Sequence, residues 1–319
     1  MCACFAGRAR VPSEAGGQAD SLELPAMPRA SNPKKKQPKR KKPRPSLHEK
    51  NQLNELTGDR WMWFTKSLVT TTYPMEFGHK LRKAHGANKP PRLMQEQIEF
   101  FTKGGGLVLD PFAGVGGTLI GASIAEPPRR AIGIEINQEW VGIYHEVCEQ
   151  EGMTPQEMLV GDCLQIMPTL EAESIDFIAT DPPYNIHVDK TMCDGKYGWA
   201  NRETDYNMRS EEERDFANLQ TYDAYLDAMQ QTFVECHRLL KPCAYMTVIL
   251  RNAYQEGRYF LTNALVAARA EAAGLILKGE RIWYQGGTPL RPYGYPFGFV
   301  PNIVHQFILI FQRPKTKRK

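Results

Sequence analysis

Several things are missing from this 319-residue chain, and each absence removes a class of explanation. No run approaches eighteen apolar residues, so nothing in it reads as a membrane-spanning helix. The first ten residues hold two arginines and small side chains without the apolar stretch of a secretory signal, and the chain reads as a soluble, non-secreted protein. Its seven cysteines are odd in number and include no C-x-x-C pair, against a disulfide framework or a cysteine-based zinc site. Reduced thiols in a cytoplasm-like compartment of bacterial or phage type are expected; a nuclear address in the basic N-terminal run is an open alternative. His79, His85, His187 and His305 lack ligand spacing, and no metal is expected. There is no internal repeat.

The net charge of +4 is unevenly spread. Residues 51–312 carry 23 basic against 32 acidic side chains, while both ends are basic. A polyanion would therefore have to be met by a local basic or aromatic surface, helped by the tails. Residues 1–50 are rich in Ala, Gly, Pro, Ser and Lys, include the run Lys34 to Arg44, and are expected to be a disordered basic tail. That run is a phosphate tether, an address signal or a solvated extension. Residues 51–312 are expected to form one domain with an insertion over 185–220, and 313–319 a basic C-terminal tail.

Within the domain, short apolar runs alternate with helical periods, the pattern of a parallel sheet flanked by helices. Leu107 to Leu109 reads as the first strand, followed by a helix from Gly117 that Glu126-Pro127-Pro128 stops. Ala131 to Ile136, Met158 to Val160 and Ser174 to Ala179 read as the next strands, with Asn137 as an N-cap between the first two. A helix over Tyr222 to Leu240, a strand over Ala244 to Leu250, a helix ending near Ala273 and two late strands, Leu275 to Trp283 and Ile303 to Phe311, complete a doubly wound α/β fold.

Three constellations carry chemistry. Asp110-Pro111-Phe112-Ala113-Gly114-Val115-Gly116-Gly117 closes the first strand and opens a helix, where glycines admit a ligand close to the backbone. The third glycine of the dinucleotide fingerprint is Leu119 here, which disfavours NAD or FAD. Glu135 ends the second strand and Asp162 follows the third, so acids line one rim of the sheet, where a ribose diol is ordinarily held. Thr180-Asp181-Pro182-Pro183-Tyr184 ends the fourth strand. Its two prolines stiffen the turn and free carbonyls from local donors. Asp181 and the Pro182 carbonyl suit the two N–H groups of an exocyclic amine on a flat base, and Tyr184 suits its face.

Together these motifs resemble the S-adenosylmethionine-dependent DNA amino-methyltransferases that modify adenine N6 or cytosine N4, over about Trp61 to Phe311. The resemblance implies a Rossmann-like methyltransferase fold, with a mostly parallel seven-stranded sheet and helices on both faces, and S-adenosylmethionine as cofactor. Carried over, Asp110, Pro111, Phe112 and Gly114 line the cofactor, and Gly116 sits beside its methionine part. Glu135 takes the ribose hydroxyls, Asp162 takes the adenine amino group, Ile136 and Cys163 beside them are cofactor-binding, and His85 belongs to an additional cofactor segment, His85 to Pro91. Asp181, Pro182, Pro183 and Tyr184 become the catalytic motif. The implied substrate is double-stranded DNA with the target base flipped into the site; Asp181 in place of serine tips the base toward adenine. Guanine N2 methylation of structural RNA and an inactive nucleic-acid-binding scaffold are the alternatives. Sequence reading would fall to Asn185–Gln220, to Gly286–Pro301, or to a partner; the aromatics of the second segment are equally readable as a packed loop, the reading favoured here.

Overall fold

The structure, a computed structural model, describes residues 47–86, 88–184, 214–255 and 257–315. The basic run at 34–44 and most of the expected insertion, 185–213, lie outside them. Among the described residues the chain forms helix α1 (Gly58–Phe64), strand β1 (Leu68–Val69), α2 (His79–Arg82), α3 (Pro91–Phe101), β2 (Leu107–Asp110), α4 (Gly117–Ser123), β3 (Arg130–Glu135), α5 (Gln138–Gln150), β4 (Glu157–Val160), α6 (Cys163–Ile166) and β5 (Ile175–Thr180). After the gap come α7 (Tyr222–Leu239), β6 (Leu240–Leu250), β7 (Ala253–Gln255), β8 (Arg258–Phe260), α8 (Thr262–Ala272), β9 (Ile276–Tyr284) and β10 (His305–Gln312).

The main sheet has the order β1-β9-β10-β6-β5-β2-β3-β4, with β10 antiparallel to both neighbours and every other pairing parallel. It has eight strands rather than the seven expected. The extra one, β1, is two residues long, too short to show alternation in sequence, and it joins the β9 edge where Ile282 N donates to the Ser67 carbonyl at 2.6 Å. The separate β7–β8 hairpin is likewise too short to read in advance.

Alternating side chains of the central strands feed two apolar layers. Ile178, Met246, Val248, Leu250, Phe307 and Leu309 pack with α7 and α8, whereas Phe177, Ala179, Ile249 and Ile308 pack with α1, α3, α4 and α5. Helices thus cover both faces, which a parallel sheet requires. Asn137 accepts from Glu139 N as the cap of α5. The chain runs from β2 to β3 and β4 on one side, then crosses back to β5 on the other side of β2. The gap between the carboxyl ends of β2 and β5 is therefore the topological switch point, where such sheets hold ligands.

Candidate active site

A cavity of about 1130 Å³, its open mouth included, occupies that switch point. It is lined by thirteen of the fourteen residues expected from sequence: His85, Asp110, Pro111, Phe112, Gly114, Glu135, Ile136, Asp162, Cys163, Asp181, Pro182, Pro183 and Tyr184. Gly116 is the exception. It caps α4 with φ +77°, and a Cβ on it would lie 2.1 Å from the Tyr144 ring. Gly116 is thus held by packing against Tyr144 at the start of α4.

Asp110, which lines the cavity, also braces it. It is buried, and its carboxylate accepts from Thr118 Oγ1 at 2.5 Å, Thr180 Oγ1 at 2.8 Å and Phe112 N at 3.1 Å. Burial pushes its pKa up to about 6 against these hydrogen bonds. Asp110 thereby ties the end of β2, the first turn of α4 and the end of β5 together, and spaces the glycine loop from the Asp181 turn.

Glu135 is held by two backbone donors. Gly114 N donates to its Oε2 and Asn137 N to its Oε1, both at 2.8 Å. One N–H on each oxygen leaves acceptor capacity on both, as a ribose diol needs. Burial raises its pKa to about 7, and the two backbone donors hold it from rising further. Beyond Glu135, Asp162 caps α6 by accepting from Leu164 N at 2.9 Å, and its second oxygen lies 3.6 Å from Arg214 Nη1. Buried Cys163 has its thiol pushed up to about 12, so it is a neutral wall and no nucleophile. His85 stands edge-on to Trp140 at 5.0 Å, and a Cβ on Gly114 would come within 3.2 Å of its Nε2. Burial, then Lys89 and Arg82, lower its pKa to about 4, which keeps the imidazole neutral.

At the other end of the cavity the Asp181 carboxylate is ion-paired with Lys89 and accepts from the Tyr184 hydroxyl at 2.7 Å. Burial raises the pKa of Asp181, and the Lys89 ammonium opposes that rise. Tyr184 therefore bonds back to its own turn as well as offering a ring.

Sequence reasoning passed over Lys89, although the His85 to Pro91 segment containing it was singled out. It also missed Arg214, Asp215, Phe216 and Ala217, which line the cavity from the residues following the gap, with Phe216 set edge-on to Phe112 at 5.1 Å. No periodic or glycine signal marks those four. The loop at 286–301 departs from its expectation as a packed segment: Phe297 is 75 % exposed and Phe299 84 %. The loop closes on itself instead, with Asn302 bonded both ways to Arg291 and Gly298 N donating to the Gly294 carbonyl, which turns the rings outward. Because β10 starts opposite the end of β6, the loop emerges at the same rim as Asp181. The stacking and basic residues of the expected insertion, Lys190, Lys196, Tyr197, Trp199, Arg202, Tyr206 and Arg209, lie outside the described residues.

The site fits S-adenosylmethionine in the chemistry of its donors: a diol acceptor at Glu135, aromatic walls at Phe112, Trp140 and Phe216, and an excess of carboxylates for a sulfonium-bearing ligand. Among the described residues no helix is long and apolar enough to cross a membrane, and no cluster of three or more His, Cys, Asp and Glu is placed to hold a metal.

The chain is 33% identical over 95 residues to a tRNA (guanine(10)-N2)-dimethyltransferase of Pyrococcus abyssi, covering 30% of this chain and 28% of that protein. It is 25% identical over 162 residues to the type II methyltransferase M.HpaI of Haemophilus parainfluenzae, covering 51% and 40%. The chain thus spans well under half the length of these curated relatives. Among solved structures it is similar to TrmN from Thermus thermophilus (TM-score 0.47, 15% identity, 74% of this chain and 53% of that one) and to a SAM-dependent methyltransferase from Aquifex aeolicus (TM-score 0.42, 18% identity, 74% and 98%). The family profile described as DNA methylase, of the N6 and N4 amino-methyltransferase type, matches residues 24–146 and 175–319, and the chain belongs to that S-adenosylmethionine-dependent family.

Proposed function

We propose that this protein methylates the exocyclic N6 of adenine in double-stranded DNA. The observation that carries the reading is the placement of the Asp181 turn inside the same cavity as the Glu135 acceptor and the Phe112–Gly114 loop. When bound, the cofactor supplies an activated methyl group on a sulfonium. The amino nitrogen of adenine is a weak nucleophile because its lone pair is delocalised into the ring. Asp181 and the Pro182 carbonyl accept its two N–H groups and favour a more tetrahedral nitrogen whose lone pair is free to attack. Tyr184 takes the ring of the base, which must leave the duplex at a cost of a few kcal/mol.

A nucleic-acid substrate is supported by the rim around this turn. The exposed rings of Phe297 and Phe299 share it with Arg251, whose guanidinium bonds to the Ile303 carbonyl and acts electrostatically on Tyr184 and Tyr293. Aromatic rings beside cations are the equipment for unstacked bases and their phosphates. Family membership and the aspartate at position 181 favour DNA and adenine. One observation favours a second reading, guanine N2 in structured RNA: the tRNA dimethyltransferase relatives match this chain at 33% and 31% identity over about a third of its length.

Incubation of the purified chain with methyl-labelled cofactor and, in parallel, unmethylated duplex DNA and unmodified tRNA separates these readings when the products are digested to nucleosides and weighed. Labelled N6-methyldeoxyadenosine is expected. Label as N4-methyldeoxycytidine would correct the base, and N2-methylguanosine from tRNA alone would overturn the DNA reading.

A further inference from the structure

The lining of the cavity is rich in carboxylates and poor in cations. Asp110, Glu135, Asp162, Asp181 and Asp215 face Lys89 and Arg214 among the described lining residues, and His85 is kept neutral. Arg214 stands at the Asp162 end, within 3.6 Å of that carboxylate. S-adenosylmethionine carries one carboxylate of its own, on its methionine part, and a carboxylate buried among acids needs a cation. Among the described lining residues, Lys89 is the cation at the Asp181 end.

The backbone of Lys89 is clamped. Buried Arg82 donates to its carbonyl at 2.6 Å, Asn88 Nδ2 donates to the Arg82 carbonyl at 3.0 Å, and a Cβ on Gly117 would fall 2.9 Å from the same Lys89 oxygen. Pro90 and Pro91 follow and restrict the chain further. Only the four-carbon side chain is left to move its ammonium. In the structure that ammonium holds Asp181 Oδ2, while Tyr184 holds Oδ1. The oxygen that has to receive the amino group of the base is therefore already engaged by a cation. That cation would also oppose a sulfonium brought to the same place.

We propose that Lys89 is a two-position residue: it neutralises Asp181 before the cofactor arrives and passes to the cofactor's carboxylate afterwards, so that cofactor binding clears the acceptor for the target amine. The inference rests on reading the cavity as the S-adenosylmethionine site and Asp181 as the amine acceptor. It makes Lys89 a positioning residue, and it makes the Lys89–Asp181 pair a cost that the cofactor has to meet. Releasing Lys89 in advance must then tighten the binding of any cofactor analogue that bears the carboxylate.

The test is calorimetric and independent of turnover. S-adenosylhomocysteine and its decarboxylated analogue are titrated into wild type, K89M, K89R, D181N and the K89M/D181N double variant, with circular dichroism melts to show that each is folded. D181N is expected to bind S-adenosylhomocysteine more tightly than wild type, within the roughly 5- to 150-fold range ordinary for coupled sites, and to gain nothing for the decarboxylated analogue. K89M should erase the preference for the carboxylate, K89R should keep it, and the double variant should show no gain over K89M. A D181N variant with unchanged or weaker affinity would overturn the exchange even if K89M lost affinity. Equal affinity of wild type for the two ligands would overturn the assignment of Lys89 to the carboxylate while leaving the cavity as a cofactor site. Failure of wild type to bind either ligand would reject the cofactor reading itself and the inference with it. If K89M is unfolded, the D181N and K89R arms still decide.

Discussion

Substituting Gly116 by alanine separates a glycine that the fold requires from one that the ligand requires. At φ +77° an alanine is in the left-handed region, which costs about 1–2 kcal/mol for an L-residue. Its Cβ would also stand 2.1, 2.7 and 2.8 Å from three carbons of the Tyr144 ring. That ring cannot easily retreat: it is 1 % exposed, and its hydroxyl accepts from Gln156 N at 2.8 Å. Forcing it aside adds an overpacking cost of roughly 1–3 kcal/mol. The total of about 2–5 kcal/mol should appear as a shift of the urea midpoint at unchanged slope, and as a melting temperature lower by ~2–4 °C per kcal/mol. The same substitution made on a Tyr144→Ala background removes the collision and leaves the backbone part. There the cost of G116A should fall to about 1–2 kcal/mol, measured as a double-mutant cycle. A G116A protein as stable as wild type, or an equal loss on both backgrounds, would refute the assignment of Gly116 to packing.

Glu135 yields a pH prediction with two opposite signs. Its folded pKa is raised by burial to about 7, so the stability it contributes is present below its unfolded value and lost as pH rises through about 7; cofactor-free protein should lose melting temperature over that interval, and E135Q should lose less. Cofactor affinity should run the other way, rising with pH as the carboxylate becomes the better diol acceptor, with E135Q weaker and flat in calorimetry from pH 6 to 8. Replacing Phe297 and Phe299 together by alanine should weaken nucleic-acid binding about tenfold or more in fluorescence anisotropy at fixed salt, by loss of base stacking, while affinity for S-adenosylhomocysteine stays as in wild type. Unchanged nucleic-acid affinity would leave those exposed rings without a role in substrate binding.

How far the molecule was legible beforehand follows from what each element has to say locally. Strands β2, β3 and β5 are largely buried, and they and the edge strand β4 are bounded by glycine, proline or acid, so their apolar runs and their carboxyl ends read directly. Since ligands collect at those ends, Glu135, Asp162 and the Asp181 turn could be placed in one site without coordinates. Strand β1 and the β7–β8 hairpin were illegible because two or three residues carry no period. The packing of Gly116 was illegible because a glycine needed for φ and a glycine needed for a ligand look alike in sequence, and the Tyr144 ring it packs against lies 28 positions away. Lys89 was passed over because its partner, Asp181, is brought to it by the crossing from β4 to β5, 92 positions later. The loop at 286–301 was misjudged because aromatics among prolines and glycines say nothing about which way the rings face.

Asp181 is the residue on which the proposed transfer depends. The most direct measurement compares wild type with D181N for transfer of labelled methyl to unmethylated duplex DNA, beside calorimetry with S-adenosylhomocysteine on the same preparations. Labelled N6-methyldeoxyadenosine from wild type alone, with D181N inactive and binding the cofactor product at least as well, is the predicted result. Turnover retained by D181N would contradict the assignment of Asp181 as acceptor of the target amine.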